Sequence, residues 1–397
     1  MAELQRDAPA DASHGGYLAR DGKMQVRWVT SPGSRLQGKR ILLTGHTGFK
    51  GGWLSLWLSR LGAEVRGVSL PPQEPSLFDG AGIGDLIDSR LADINDRAEL
   101  ERAVGDFRPQ IIIHMAAQSL VRPSYADPVG TFLTNVMGTA NVLDLGRRQP
   151  DLRGIVVVTS DKCYDNREWV WGYRETDPMG GKDPYSASKG AAELAAEAWS
   201  QSFFQEPGGP RIVRVRAGNV FGGGDWAEDR LIPDIMRGAR SGQPTVIRNP
   251  GSVRPWQHVL EPLSGYLTLA EWLLEDPERV AGAWNFGPGN EATVDVATLI
   301  ATLSLHWPGG LPYRIEPAPN GLPEAGLLRL DSTKAHVKLG WKPRLDLSSA
   351  LSLTAEWYRA DAEGQDMRAF TEAQIDAYVD RCGRELVFHP MNDGASA

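Results

Sequence analysis

The chain of 397 residues is 41% hydrophobic and 23% charged, which fits a soluble globular protein and excludes wholesale disorder, collagen and coiled coil. Its 42 Lys/Arg against 50 Asp/Glu leave a net charge of −8, and without a basic block this argues for no nucleic-acid partner. Cys163 and Cys382, the only cysteines, can build neither a disulfide framework nor a four-ligand zinc site and fit the cytoplasm. No apolar run approaches the roughly 18 residues of a membrane span, and the start lacks a secretory pattern.

The length suggests two to three domains, or one large α/β unit with a cap. Residues 1–37 show no sustained periodicity and are expected to be a flexible tail. RILLT, from Arg40, reads as a strand. Trp53, Leu54, Trp57, Leu58 and Leu61 then share one helical face. Strands follow at Glu64–Ser69 and Arg90–Ile94, then a helix at Asp96–Phe107. Ile111–His114 (IIIH) is an apolar run suited to a strand buried on both faces. A long helix over about Pro128–Arg148 leads to a strand at Ile155–Ser160. This alternation predicts an α/β fold: a Rossmann-type doubly wound parallel sheet, assigned to residues 38–218. Beyond residue 218 Gly and Pro become frequent, with helices near 231–241, 257–275 and 347–362. Residues 219–365 are read as mainly a smaller C-terminal substrate-binding lobe interleaved with the sheet. Residues 366–397 are read as a helix and tail.

Three motifs carry chemistry. In TGHTGFKG (Thr44–Gly51), Gly45, Gly48 and Gly51 follow a strand and open a helix. That arrangement lets backbone approach a pyrophosphate at a helix N-terminus. The plain alternative, a glycine turn without ligand, is disfavoured by the strand–helix context. The acid that usually binds the ribose is missing at the end of the second strand, which reads Val68, Ser69, Leu70, Pro71. NAD is expected and NADP is not excluded. Arg66, the nearest charge, is expected to be solvated. Asp93 and Ile94, ending the third strand, sit where an adenine would be capped.

In YSASK, Tyr185 and Lys189 are spaced i, i+4 and share a helical face. A Lys ammonium beside a phenol is expected to lower its pKa and make a general base, although Y-x-x-x-K alone is common on surface helices. In TSDKCY, Ser160, Asp161 and Lys162 follow a strand and should face the ligand crevice. In isolation an Asp–Lys pair is as often a solvated loop. Cys163 reads as a packing residue.

These motifs, in this order, with HMAAQS (His114–Ser119) after the fourth strand, resemble the extended short-chain dehydrogenase/reductase family, which works on nucleotide sugars. TGHTGFKGGWLSLWLSRLGAEV, TSDKCYDNREWVWGYRE, RAGNVFGGGDWAEDRLIPD and NPGSVRPWQHVLEPLSGYL narrow the resemblance to those members that dehydrate a CDP-hexose. It covers about residues 37–362. The dTDP-sugar dehydratases carry Thr-Asp-Glu where this chain has Ser160-Asp161-Lys162, and GDP-mannose dehydratases have a different glycine loop. Gly52 stands where the family usually has Ser, and the extension before Arg35 is longer than usual.

The resemblance implies oxidation at carbon 4, loss of water across carbons 5 and 6, and hydride return to carbon 6, with a recycled nicotinamide. It implies a part in deoxysugar and surface-polysaccharide synthesis. Tyr185 and Lys189 would serve oxidation, with Ser160 as a hydroxyl partner. Asp161 would be the acid for the leaving hydroxyl, and Lys162, when neutral, the base at carbon 5. Cofactor contacts would come from Gly45, His46, Thr47, Gly48, Phe49, Lys50, Asp93, Ile94, Ala116, Ala117, Tyr185 and Lys189. Substrate contacts would come from Gln118, Asn135, Asn219, Arg230, Leu231, Arg254 and His258, although a His there, like Trp256, is more often structural. No metal and no membrane partner are implied. A homodimer or dimer of dimers through the helices at 128–148 and 183–206 is. Another nucleotide-sugar dehydratase or an epimerase of the family is the competing reading. An epimerase needs no Asp–Lys pair, and a non-catalytic nucleotide sensor would not need the four groups together.

Overall fold

A computed structural model describes residues 18–20, 24–29, 31–316, 326–383 and 385–390. Its centre is a seven-stranded sheet in which every neighbouring pair is parallel. The spatial order is Gly282–Asn285, Arg211–Arg216, Gly154–Val158, Ile111–His114, Arg40–Thr44, Glu64–Ser69, Asp88–Leu91. The order reverses between Arg40–Thr44 and Ile111–His114, so the ligand crevice of a doubly wound sheet opens there, beyond the carboxyl ends of the strands.

Side chains alternate across the sheet and build two cores. Leu42, Ile112, Ile155 and Ile212 pack with Leu100, Val142 and Ala196 on one face. Ile41, Leu43, Ile111, Ile113, Val156 and Val213 pack with Trp53, Trp57, Leu263 and Leu267 on the other. Helix Leu260–Glu275 lies on this second face, and the strand Gly282–Asn285 closes the sheet. Residues past 218 therefore complete the first layer as well as forming a lobe. Three two-stranded pairings mark that lobe: Val220–Phe221 with Gln257–His258, Val253–Pro255 with Thr293–Asp295, and Thr245–Ile247 with Tyr313–Ile315.

Three expectations need correction. Residues 1–37 are not all tail. Leu18–Arg20 and Met24–Val29 form an antiparallel sheet with Glu385–Pro390, and Leu36 is fully buried. The remaining tail residues, 1–17 and 391–397, lie outside the described residues. The third strand runs Asp88–Leu91, not Arg90–Ile94: the Asp93 carboxylate accepts the Asn95 amide at 2.9 Å, turning the chain into the helix that Asp96 caps. Arg66 is not solvated. It pairs with Asp88 at 2.7 Å and lies over the Phe107 ring.

Candidate active site

The glycine loop is built by contacts its glycines alone permit. Gly45 has φ +80°, and a Cβ there would lie 2.7 Å from the Ala116 amide; one at Gly51 would lie 2.0 Å from the Gly45 carbonyl. Gly48 differs. Its backbone is ordinary, and its Cβ position meets only the Gly45 carbonyl, at 3.5 Å. Gly45 and Gly51 thus serve the loop's own packing, whereas Gly48 leaves a cradle at the N-terminus of helix Phe49–Arg60. A cradle of backbone amides fits a pyrophosphate.

The loop's side chains turn elsewhere. His46 is fully buried, with Nε2 on the Ser89 hydroxyl at 2.7 Å and its ring edge-on to Phe78. Its ring is therefore taken up within the protein, which leaves its backbone for the expected cofactor contact. Its ring fills the space above Gly67, where any Cβ would collide with it, and burial lowers its pKa to about 4. The Thr47 hydroxyl is likewise engaged, with Ser69 Oγ at 2.8 Å and the Leu70 carbonyl at 2.9 Å. Phe49 packs against the core. Ile94 is buried in the other core, and Asp93 sits in the turn after the edge strand. Ala116 and Ala117 follow strand Ile111–His114, with the Ala116 amide on Thr44 Oγ1 at 3.2 Å.

Asp183 caps helix Pro184–Phe203, accepting the Ser186 amide at 2.9 Å, with Pro184 in its first turn. Tyr185 and Lys189 share its inner face and are 8% and 5% exposed. Ser160, Asp161 and Lys162 occupy the short turn after strand Gly154–Val158. The Ser160 hydroxyl donates to Asp161 Oδ1 at 2.9 Å and bonds the Tyr185 phenol. The Lys162 ammonium stands 5.9 Å from the Tyr185 ring centre. Asp161 Oδ2 is buried with no protein partner. A Cβ at Gly218 would lie 1.8 Å from it, so the adjoining strand end closes on this carboxylate. The structure therefore brings Tyr185 and Lys189 together with Ser160, Asp161 and Lys162.

Electrostatics here departs from expectation. Burial pushes Tyr185 up to about 12, only partly offset by the Ser160 hydrogen bond. The expected lowering by Lys189 does not prevail over the burial of the phenol; burial also lowers Lys189 itself to about 8, against Cys163 and Glu193. Lys50 turns inward among Arg230, Lys189, Asp161 and Asp225, and burial, then Arg230, lower it to about 7. Burial opposes the Arg230 charge, but Asp225 at 2.9 Å holds its pKa above the usual value. Its second arm reaches Ser119 Oγ at 3.3 Å.

Three expected substrate contacts are corrected. Asn135, 1% exposed, donates to the Gln118 carbonyl and Ser188 Oγ and accepts the Gln118 amide at 2.8–2.9 Å, which fully engages its side chain. It clamps the loop to the helix of Tyr185 and Lys189. The Gln118 amide is engaged with Leu120 and Thr131. His258 is fully buried, edge-on to Trp53 and Phe221, and burial lowers its pKa to about 3. Asn219 follows Gly218 in the left-handed region (φ +47°), which Asn tolerates. Leu231 opens helix Leu231–Ser241. Arg254 lies in the second lobe, its guanidinium on the Val253 and Gly326 carbonyls at 2.9 and 3.2 Å.

One feature escaped the sequence reading: a buried ion pair between Glu193 and Arg216. Its only signals are a carboxylate four residues after Lys189 and Arg211, Arg214 and Arg216 set among apolar residues in one strand.

A doubly wound sheet with a glycine cradle at its switch point and a Tyr–Lys face beside it defines a dinucleotide-dependent enzyme. Residues 41–286 match the NAD dependent epimerase/dehydratase family, and the chain belongs to that family. It is 48% identical over 348 residues to the CDP-glucose 4,6-dehydratase of Salmonella typhimurium, covering 86% of this chain and 97% of that one. It is 28% identical to a probable dTDP-glucose 4,6-dehydratase of Sinorhizobium fredii (80% and 92%). Among solved structures, dTDP-glucose 4,6-dehydratase of Bacillus anthracis in complex with NAD superposes with a TM-score of 0.69 at 21% identity (83% and 99%). UDP-glucose 4-epimerase of Thermus thermophilus with NAD gives 0.68 at 25% (81% and 99%).

Proposed function

We propose that this protein is an NAD-containing hydro-lyase that converts CDP-glucose to CDP-4-dehydro-6-deoxyglucose and water. The observation that carries the reading is the Asp161–Lys162 turn seated against the Tyr185–Lys189 face; the resemblance to the Salmonella typhimurium enzyme supports the choice of substrate. A bound nicotinamide supplies a hydride acceptor for carbon 4 that gives the hydride back at carbon 6. The chain supplies the proton transfers. Tyr185, bonded to Ser160, takes the proton of the carbon-4 hydroxyl, and the Lys189 charge stabilises the resulting phenolate. The new ketone acidifies carbon 5, whose proton goes to Lys162. Asp161 protonates the departing carbon-6 oxygen, which leaves as water. Arg254 and Arg230 face the diphosphate in this reading, since planar guanidinium groups bind such oxygens two at a time.

An epimerase, as several structural neighbours are, needs no second acid–base pair, so the buried unpartnered oxygen of Asp161 favours dehydration. Incubation with a panel of nucleoside-diphosphate hexoses, read by mass and NMR, tests this. Loss of one water from CDP-glucose without added reductant is expected; inversion at carbon 4 without loss of water would overturn it. The protein is further proposed to act in the cytoplasm, in deoxysugar supply to surface polysaccharide, as a homodimer. Support for the dimer is the outward apolar face of Val129, Leu133, Met137, Leu194 and Phe203. Both cysteines are free, and no helix among the described residues is long and apolar enough to cross a membrane.

A further inference from the structure

The turn that carries Ser160, Asp161 and Lys162 is fastened at both ends by hydroxyl groups with no part in the proton transfers. Before it, Thr159 donates to Glu193 Oε1 at 2.6 Å. After it, Tyr164 donates to Asn285 Oδ1 at 2.7 Å and accepts from Arg216 Nη1 at 2.6 Å. The two anchors belong to one buried assembly, because Arg216 grips Glu193 with Nε and Nη2 at 2.9 and 2.7 Å. Both partners are nearly inaccessible, at 3% and 2%. Burial opposes the Glu193 charge, yet the Arg216 hydrogen bonds hold its pKa below the usual value. Asn285 extends the assembly outward, donating to the carbonyls of Tyr173 and Asp331 at 2.8 and 3.1 Å.

The assembly joins three bodies that the chemistry must keep in register. Glu193 sits one helical turn beyond Lys189 on the helix of Tyr185. Arg216 ends the strand that leads to Gly218, against which Asp161 packs. Asn285 ends the sheet's edge strand, from which it reaches the chain at 173 and 331. A buried ion pair is a weak source of stability, because desolvation offsets most of its attraction. What this one provides is a fixed distance between helix, turn and strand.

We propose that Thr159 and Tyr164 are positioning residues for the elimination step, holding the Asp161–Lys162 turn in register with the Tyr185–Lys189 face through the Glu193–Arg216 pair. Tyr185 and Lys189 stand on a capped helix of their own. Loosening the turn also shifts Ser160, but the carbon-4 base and its Lys189 partner keep their place, so the larger loss falls on the acid and base that act afterwards. A misplacement of about 1 Å costs on the order of 100-fold in rate.

The inference rests on the dehydratase reading, so wild-type enzyme is assayed first on CDP-glucose. Failure there overturns the reading itself. Given wild-type turnover, Tyr164→Phe and Thr159→Val are compared. The first keeps the ring stacked on Tyr173 (5.1 Å) and under Arg216 (4.8 Å); the second keeps the side chain's shape. Each variant is measured for thermal transition, kcat, KM, absorbance of reduced nicotinamide during turnover, and the isotope effect of deuterium at carbon 4. The expected result is an unchanged KM and a kcat reduced roughly 10- to 100-fold. Reduced nicotinamide should build up, and the carbon-4 isotope effect should vanish because elimination now limits. If one variant fails to fold, the other carries the test; misfolding of both assigns the hydroxyls to stability and overturns the proposal. So does a rate loss with an enlarged isotope effect, a change confined to KM, or wild-type behaviour in both.

Discussion

Three imidazoles held neutral inside the fold make the protein acid-labile in a defined window. Burial lowers His46 to about 4 and His114 and His258 to about 3, from 6.5. In the unfolded chain each takes up a proton below 6.5, whereas in the fold it does so only near 3 to 4. The unfolded state therefore binds more protons across this range, and stability falls as pH falls. At pH 5, about 1.5 units below 6.5, each His costs about 2 kcal/mol, or about 6 kcal/mol for the three. Glu261 acts oppositely. Burial raises it to about 7, against hydrogen bonds from Tyr378, Arg344 and Leu345. The fold therefore takes up its proton below 7 and the unfolded chain only near 4.5, which returns roughly 2–3 kcal/mol at pH 5. For these four groups the expectation is a loss of about 3–4 kcal/mol between pH 8 and pH 5, to which Lys50, lowered by burial to about 7, adds about 1 kcal/mol, together a large part of a typical 5–15 kcal/mol total. Carboxylates held below their usual range, such as Asp88, Asp144 and Asp331, stay ionised at pH 5 and do not blur the window. Urea unfolding at pH 8, 6.5 and 5, extrapolated to water, measures the slope. His258→Phe, which can keep the edge-on packing on Trp53 and Phe221, should remove about 2 kcal/mol of the pH-dependence. A stability that is flat from pH 8 to 5, or an equal slope in His258→Phe, would refute the reasoning.

Gly48→Val should weaken nicotinamide binding at least tenfold in a fluorescence titration and leave the melting temperature in place, whereas Gly51→Ala should lower it, since its Cβ would overlap the Gly45 carbonyl. Tyr185→Phe should abolish turnover of CDP-glucose with cofactor binding intact; near-normal dehydration would reject its role as base. Asp161→Asn and Lys162→Met should oxidise carbon 4 yet dehydrate about 100- to 10,000-fold more slowly, seen as reduced nicotinamide in a single turnover; a slow variant without that absorbance would place these residues at oxidation or binding. Leu194→Lys with Leu133→Asp should halve the particle mass in light scattering, and an unchanged mass would remove the helical face from the dimer.

The central sheet was legible because a strand buried on both faces needs a continuous apolar run, as Ile111–Ile113 and Ile155–Val158 supply. Helix starts were legible where a capping Asp precedes them, as at Asp96 and Asp183. The N-terminal strands were not. Met24–Val29 pairs with Glu385–Pro390 at the far end of the chain, and six residues carry no signal for so distant a partner. The end of the third strand was misread because Asp93 and Asn95 settle it by a local turn, while Ile94 extends the apolar pattern past that turn.

The site divides along a different line. Residues whose placement depends on a fixed spacing, such as Tyr185 with Lys189 or Gly45 with Gly51, were readable because helix and loop geometry turn spacing into position. Polar residues placed near those motifs were misread when burial decided their role. Asn135, Gln118, His46 and His258 all border the crevice in sequence, but their polar atoms or rings are taken up within the protein. The sequence pattern does not show which neighbour takes a hydrogen bond. Gly67 could have warned of the His46 ring above it, and Gly218 of the Asp161 carboxylate beside it, since a glycine in or just after a buried strand often marks a close approach. The same view makes sense of two neighbouring amines, Lys50 and Lys189. Burial lowers them to about 7 and about 8, so the site can hold them near one another with less mutual repulsion than two full charges would bring.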